Sequence, residues 1–427
     1  MLRSKRFTIL ILLTLLLGLF IIPVSAQEGQ VVKVYTSWPL TGGSQAIGES
    51  MVNAARLALT HYMEDNEDMG PAGVTVEIVQ LDDASPQTGA WDATIEAENA
   101  QRCVNDPECL VYFGTYNSGA AKVSMVITNE EGIAQISPAN SYPGLTRECP
   151  TCEEGEPGIY RPSGEVNYFR VTATDDVQGP AAASWAYCLG IDSVYVLDDT
   201  QTYGAGVANE FAVHAEEIGL EVVGRGQVES TSIDFRALLT DVLASGAEMV
   251  YGGFVLDSGG PQVIQQMAEL GLFDEGIKFM GPDGVLSPAL IEQVGGAEIL
   301  NGNTYFSFPA LLPNLLTDEA GVRFYEDYLA EFEAEPDPYA VYAYQAMEVI
   351  LDSIERAAET GEITRASVLE AMRAPDYTYN GVLGEFSFDE NGDNTVAGFY
   401  GYDFAEDNFA NPTVITADMH ETCERAE

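Results

Sequence analysis

The strongest constraint on this chain is an alternation that runs and then restarts. "VVKVYTSW" reads as a buried strand and "SQAIGESMVNAARLALTHYMED" as a helix, its apolar positions recurring at three and four. "VTVEIVQLDD" (strand), "TGAWDATIEAENAQRCV" (helix), "CLVYFG" (strand), "SGAAKVSMVITNEEG" (helix) and "IAQIS" (strand) follow. A Pro-, Gly- and Glu-rich stretch from Arg147 to Val166 interrupts and reads as an insertion. The rhythm then resumes from "QGPAAASWAYCL" through "DSVYVLDD", "GAGVANEFAVHAEEIG", "LEVVGRGQV", "DFRALLTDVLAS", "AEMVYGGF" and "GGPQVIQQMAELG" to "IKFMG". Such alternation builds parallel sheets covered by helices on both faces. The restart predicts two similar lobes. A helical block (318–373) and a β-rich tail through "GVLGEFSFDENGDNTVAGFYGYDF" complete the chain.

No low-complexity linker separates the lobes, so hinge strands crossing between them are expected. We assign 1–26 to a leader, 27–172 plus 306–398 to the first lobe, and 173–305 plus 399–427 to the second. The leader, "MLRSKRFTILILLTLLLGLFIIPVSA", has Arg3, Lys5 and Arg6, an apolar run and Val24-Ser25-Ala26. That is a secretory signal cut after Ala26, or else a retained anchor. Without its three basic residues, 15 Lys and Arg stand against 67 Asp and Glu, a net charge near −52. Such a surface repels nucleic acid and anionic lipid.

In an exported chain six Cys are expected in disulfides. Cys103 and Cys109 flank the short spacer "VNDPE", and Cys149 and Cys152 sit in "CPTCEEGEPG". The latter spacing also fits a redox motif or half a zinc site. Its Gly/Pro/Glu-rich loop is a poor place for a reactive thiol, and no second Cys/His pair is suitably spaced.

Ligands of open parallel sheets bind beyond the carboxyl ends of the strands. Those loops hold Tyr116, Asn117 and Ser118 ("TYNSG"), Asn140 and Ser141 ("PANS"), Tyr203 ("TQTYG"), Phe254 ("FVLDSGG") and Asp283 ("FMGPDGV"). Ser118 reads as the N-cap of its helix, where free N–H groups attract an anion. Each residue alone is also an ordinary cap, turn or core residue. Together they set hydroxyls and a helix N-terminus in one lobe against a carboxylate and aromatics in the other. An α-amino acid needs that pair of features.

Read as a set and in order, "PLTGGSQAIG", "QLDDASPQTGA", "YFGTYNSGAA", "ISPANSYPGLT", "FRVTATDDVQGPAAA", "DDTQTYGAGVA", "DFRALL", "GGFVLDSGGPQVIQQMAELGL" and "FMGPDGV" resemble the Leu/Ile/Val substrate-binding proteins of ABC importers. The resemblance implies the type I periplasmic binding protein fold: two Rossmann-like α/β lobes with parallel sheets. It implies capture of an amino acid, branched-chain or otherwise apolar, and delivery to membrane permease subunits. It further implies a monomer outside the cytoplasm, with no cofactor, metal or catalytic residue. In that family the residues matching Ser118 and Ser141 bind the ligand carboxylate, the one matching Asp283 binds the ammonium, and those matching Tyr203 and Phe254 enclose the ligand. The sequence departs from relatives at Ile47, where some carry an aromatic, and at Tyr116 and Asn117, which replace smaller residues. Cys188 and Cys423 are left to pair with each other, and the family topology, which returns the tail to the second lobe, supports that pair.

Against an enzyme, His61, His214 and His420 lie away from the strand tips, and nucleophile-elbow, zinc-protease and phosphate-loop motifs are absent. "DENGDN" begins like a calcium loop but has Tyr400 where the twelfth-position Glu belongs, so it reads as a hairpin turn. A binder of urea, amides or organic acids, or a soluble sensor of the same fold, are the alternatives. Asp283 weighs against pure acids, which would bring it no cation.

Overall fold

The computed structural model describes residues 29–426 apart from Ser230 and Ala397. The expected leader lies outside the described residues. The first sheet has order β2-β1-β3-β4-β5 and is wholly parallel: β1 (Val31–Trp38), β2 (Thr75–Asp82), β3 (Cys109–Gly114), β4 (Ala134–Ser137) and β5 (Tyr168–Arg170). Central β3, "CLVYFG", is buried at every position, whereas edge strand β2 alternates between exposed and buried. That difference follows from covering a central strand on both faces. Helices α1 (Gln45–Asp65), α2 (Ala93–Asn105) and α3 (Ser118–Glu130) supply the crossovers.

The chain then crosses through 171–174 into the second lobe. There α4 (Asp175–Cys188) packs on α5 (Thr202–Ile218), and α6 (Arg236–Ser245), α7 (Gly260–Glu269) and the short α8 (Ala289–Val294) and α9 (Ala297–Leu300) complete the cover. The second sheet contains β6 (Ser193–Asp198), β7 (Glu221–Gln227), β8 (Met249–Gly253), β9 (Lys278–Gly281) and β10 (Thr304–Phe308), in the order β7-β6-β8-β9-β10. Strand β10 keeps residues 306–308 in this sheet, although the sequence reading gave them to the first lobe. Helices α10 (Glu319–Phe332), α11 (Pro338–Thr360) and α12 (Arg365–Met372) return to the first lobe, where α11 lies along α1. A hairpin, β11 (Thr378–Gly381) with β12 (Gly384–Ser387), follows, and β13 (Phe399–Ala405) and β14 (Asn408–Ile415) extend the second sheet antiparallel.

Each sheet reverses its strand order once, between β1 and β3 and between β6 and β8. Reversal opens a crevice at the carboxyl ends, because the flanking helices leave to opposite faces. The loops after β3, β4, β6, β8 and β9 meet there. All three Cys pairs are bonded: 103–109, 149–152 and 188–423, the last tying α4 to the C-terminal tail.

Candidate functional site

The first-lobe half is built from two adjacent strand tips. After β3 the chain turns at Thr115 and Tyr116, and the N-cap of α3 is Asn117, one residue before the expected Ser118. Asn117 makes no capping bond, and its buried Oδ1 has no partner. Ser118, the first helical residue, is buried and accepts from Tyr142 N at 3.4 Å, which leaves its O–H free to donate. After β4, Ser141 is buried and its Oγ is unpartnered. Two serine hydroxyls and the first N–H groups of α3 thus converge. Asn140 does something else. Its Nδ2 donates to Tyr116 O at 2.8 Å, and its Oδ1 accepts from Tyr168 OH at 3.0 Å. It staples the two loops together, with both amide atoms engaged by the scaffold.

The second-lobe half centres on Asp283, 1% exposed, in the turn after β9. Its Oδ1 accepts from Tyr203 OH at 2.6 Å, and Tyr203 in turn accepts from Gly284 N at 3.0 Å. Its Oδ2 accepts from Tyr339 OH. Tyr203 stands in the first turn of α5, and Phe254 is fully buried after β8. Gly284 must lack a side chain, because a Cβ there would lie 2.7 Å from the Tyr203 ring and 2.8 Å from Phe254 O.

The lobes touch across these loops. Tyr116 OH donates to Gly284 O at 3.4 Å, and Gln293 Nε2 donates to Gly43 O at 2.9 Å. Tyr339, from first-lobe helix α11, reaches Asp283 while its ring meets Tyr116 edge-on at 5.4 Å. Ile47, Tyr116, Tyr203, Phe254 and Tyr339 belong to one continuous buried apolar cluster.

Three participants escaped the sequence reading. Asp175 opens α4 with its carboxylate fully buried and both oxygens unpartnered, although its backbone N–H reaches Ser141 O at 2.9 Å. Gln178, one turn on, donates to Ser307 Oγ at 2.9 Å and leaves Oε1 unpartnered. Tyr339 is the third. The Asp337-Pro338 start signal of α11 is legible in sequence, and Asp337 Oδ1 does accept from Tyr339 N at 3.1 Å. Its contact with a turn 56 residues away is not.

Burial pushes the Asp283 carboxyl up, against the pull of its tyrosine hydrogen bonds. Burial raises Asp175 well above the ordinary range, and the neighbouring Asp283 adds to this. Neither carboxylate has an ion pair among the described residues. The arrangement is a closed crevice with hydroxyl and N–H donors at the first-lobe strand tips, Asp175 beside Ser141, Asp283 on the second lobe, and aromatic rings between.

Among the described residues no helix is long and apolar enough to cross a membrane, and no cluster of His, Cys, Asp and Glu could hold a metal.

A family model described as periplasmic binding protein matches residues 31–406. An "amino acid binding protein" of Pseudomonas aeruginosa is 27% identical over 87% of this chain and 90% of its own. A "Leu/Ile/Val-binding protein homolog 1" of Brucella suis is 28% identical over 91% and 95%. Among solved structures, a leucine-binding protein, LivK, of Thermotoga maritima superposes with a TM-score of 0.74 at 26% identity, over 91% of this chain and 99% of that one. A solute-binding protein of R. palustris in complex with benzoate shares the fold at TM-score 0.72 and 18% identity, over 90% and 96%.

Proposed function

Because this chain belongs to the periplasmic binding protein family, we propose that it captures an α-amino acid between its lobes. The reading is carried by one observation: Asp283, and Asp175 beside Ser141, are buried without an ion pair among the described residues in the crevice that Ser118 and Ser141 line. A desolvated carboxylate is costly unless a positive charge meets it. A ligand ammonium supplies that charge. The ligand carboxylate then takes the serine hydroxyls and the N-terminal N–H groups of α3. Tyr116, Tyr203, Phe254, Tyr339 and Ile47 offer apolar surface to an aliphatic, branched side chain. Asn117 Oδ1 is the remaining polar atom beside Ser118.

In this reading the two lobes hinge open to admit the ligand and close on it. The loaded monomer then presents both lobes to the permease subunits of an ABC importer, outside the cytoplasm, without chemistry on the ligand. The names of the amino acid-binding relatives support this choice. The benzoate-binding neighbour shows that the fold also accepts acids lacking an amine, so the amine is the point to test.

A thermal-shift screen against amino acids, amides and carboxylates does so. A ligand at a hundredfold excess over its Kd stabilises by about 2.7 kcal/mol. Apolar amino acids are expected to raise Tm and their deaminated acids to leave it unmoved. Equal stabilisation by the deaminated acids would overturn the reading.

A further inference from the structure

The Cys149–Cys152 loop has no task in the ligand crevice, yet it is among the most firmly anchored features of the first lobe. Glu156, only 2% exposed, accepts from Tyr142 OH at 2.9 Å and from Tyr160 OH at 2.6 Å. Lys122 of α3 lies 2.8 Å from Glu156 and 3.0 Å from Glu153, and its ammonium sits 4.6 Å from the Tyr142 ring centroid. At the root of the loop, Arg147 pairs with Asp393 of the first lobe.

The far side of the same loop reaches the second lobe. Thr151, enclosed by the disulfide, donates its hydroxyl to Glu210 on α5. The sulfur of Cys149 lies 3.3 Å from Thr151 Oγ1. Arg147 Nη2 donates to both oxygens of Asp176, in the first turn of α4, at 2.7 Å, and to Thr174 Oγ1 at 3.1 Å. Tyr142 packs so near α5 that a Cβ on Gly206 would lie 3.0 Å from its ring. Glu210 has no ion pair among the described residues, and burial raises its carboxyl.

We propose that the loop from Arg147 to Glu156 is a latch: fixed to the first lobe through Glu156, it holds the closed state by clasping Glu210 and Asp176 of the second. Both clasping contacts are made between lobes, so both are lost on opening, while the anchoring contacts lie within the first lobe and persist. The disulfide contributes by holding Thr151 in the clasping position before closure, which lowers the ordering cost of forming the contact. An interaction present only when closed slows opening and hence ligand release, with little effect on association. The proposal rests on the reading that the lobes open and close.

The test uses the mature protein with dyes on the two lobes, so that single-molecule energy transfer reports the inter-lobe distance, with and without L-leucine. Thr151→Val keeps the side-chain shape and removes the hydroxyl. Glu210→Gln removes the charge from the other side, and Cys149→Ser with Cys152→Ser frees the loop. Each is expected to shift the ligand-free distribution toward open states and to speed leucine release about tenfold, the size of one hydrogen bond to a charged group. Tm for Thr151→Val should match the parent, which excludes a general loss of structure. If all three variants keep the parent's ligand-free distribution, the loop is not a latch. If the parent does not respond to leucine, the ligand reading fails, and the ligand-free distributions still decide the latch.

Discussion

Two groups of buried acids in this protein differ in one respect. Asp393 and Glu156 belong to the scaffold, and each has a cation. Arg170 Nε lies 2.7 Å from Asp393 with Arg147 alongside, and Lys122 Nζ lies 2.8 Å from Glu156. Burial alone would raise both carboxyls, but these partners hold them below their ordinary values. Asp283 and Asp175 belong to the crevice; neither has an ion pair among the described residues, and burial raises both, offset only in part at Asp175 by the field of Arg170. In a chain with 67 acids and 18 bases, positive charge is scarce. It has been placed on the frame and withheld from the cleft. The contrast is between acids that a cation ties into the frame and acids buried without one, a state the crevice pair shares with Asp83, Glu96, Asp199, Asp257 and Asp337. What sets Asp283 and Asp175 apart is their place at the strand-tip crevice.

The largest effect expected from that contrast falls on the scaffold. Arg170→Ala removes the fully buried one of the two cations on Asp393 and leaves Arg147 alone. Breaking a buried pair costs about 3–5 kcal/mol, and the remaining pair places the loss toward the lower end. Denaturant unfolding should show this as a lower midpoint with unchanged slope. A loss below about 1 kcal/mol would remove the distinction between the two groups.

Asp175→Asn probes the other group and should act with the opposite sign. It removes the ionisable group of a desolvated acid that has no ion pair, so the ligand-free protein should gain about 1 kcal/mol, read by the same unfolding experiment. Affinity for an amino acid should fall in the same variant. A stability loss would mean that Asp175 is part of the frame.

The smallest effect is the pH dependence of ligand-free stability. Burial pushes Asp199 and Glu96 up to about 7 and Asp257 and Asp337 up to about 6. These groups bind protons more tightly folded than unfolded. Stability therefore rises as pH falls from about 7 toward 5, by a fraction of the 1.36 kcal/mol per pK unit per group. Asp393 and Glu156, with lowered values, reverse the trend as pH falls through their ordinary values near 4. A Tm maximum in mildly acidic buffer is expected, and a flat profile from 5 to 7 would contradict the assignment.

Most of the frame was legible in the sequence because its cause is local. Buried parallel strands and amphipathic crossovers write their periods into "CLVYFG" and "SGAAKVSMVITNEEG", and the restart after Val166 announces the second lobe. The strand-tip rule brought Ser118, Ser141, Tyr203 and Asp283 to one crevice. It cannot tell which neighbouring side chain faces inward. Asn140 turns into the scaffold because Tyr116 O and Tyr168 OH claim its amide. Asp175 and Tyr339 stayed hidden because each stands in the first turn of a helix that enters the crevice from afar. Their meeting with Asp283 is set by how the lobes pack, which no local pattern records.

The central claim is that the cleft acids await a ligand's cation, and Asp283→Asn tests it most directly. Calorimetry should compare parent and variant with L-leucine and with its deaminated acid. Truncating one side of a buried charge pair costs about 2–5 kcal/mol, so leucine should bind the variant roughly thirtyfold to several-thousandfold more weakly. The deaminated acid should bind the variant at least as well as it binds the parent. If leucine binds Asp283→Asn as tightly as the parent, Asp283 serves the turn after β9 and not the ligand.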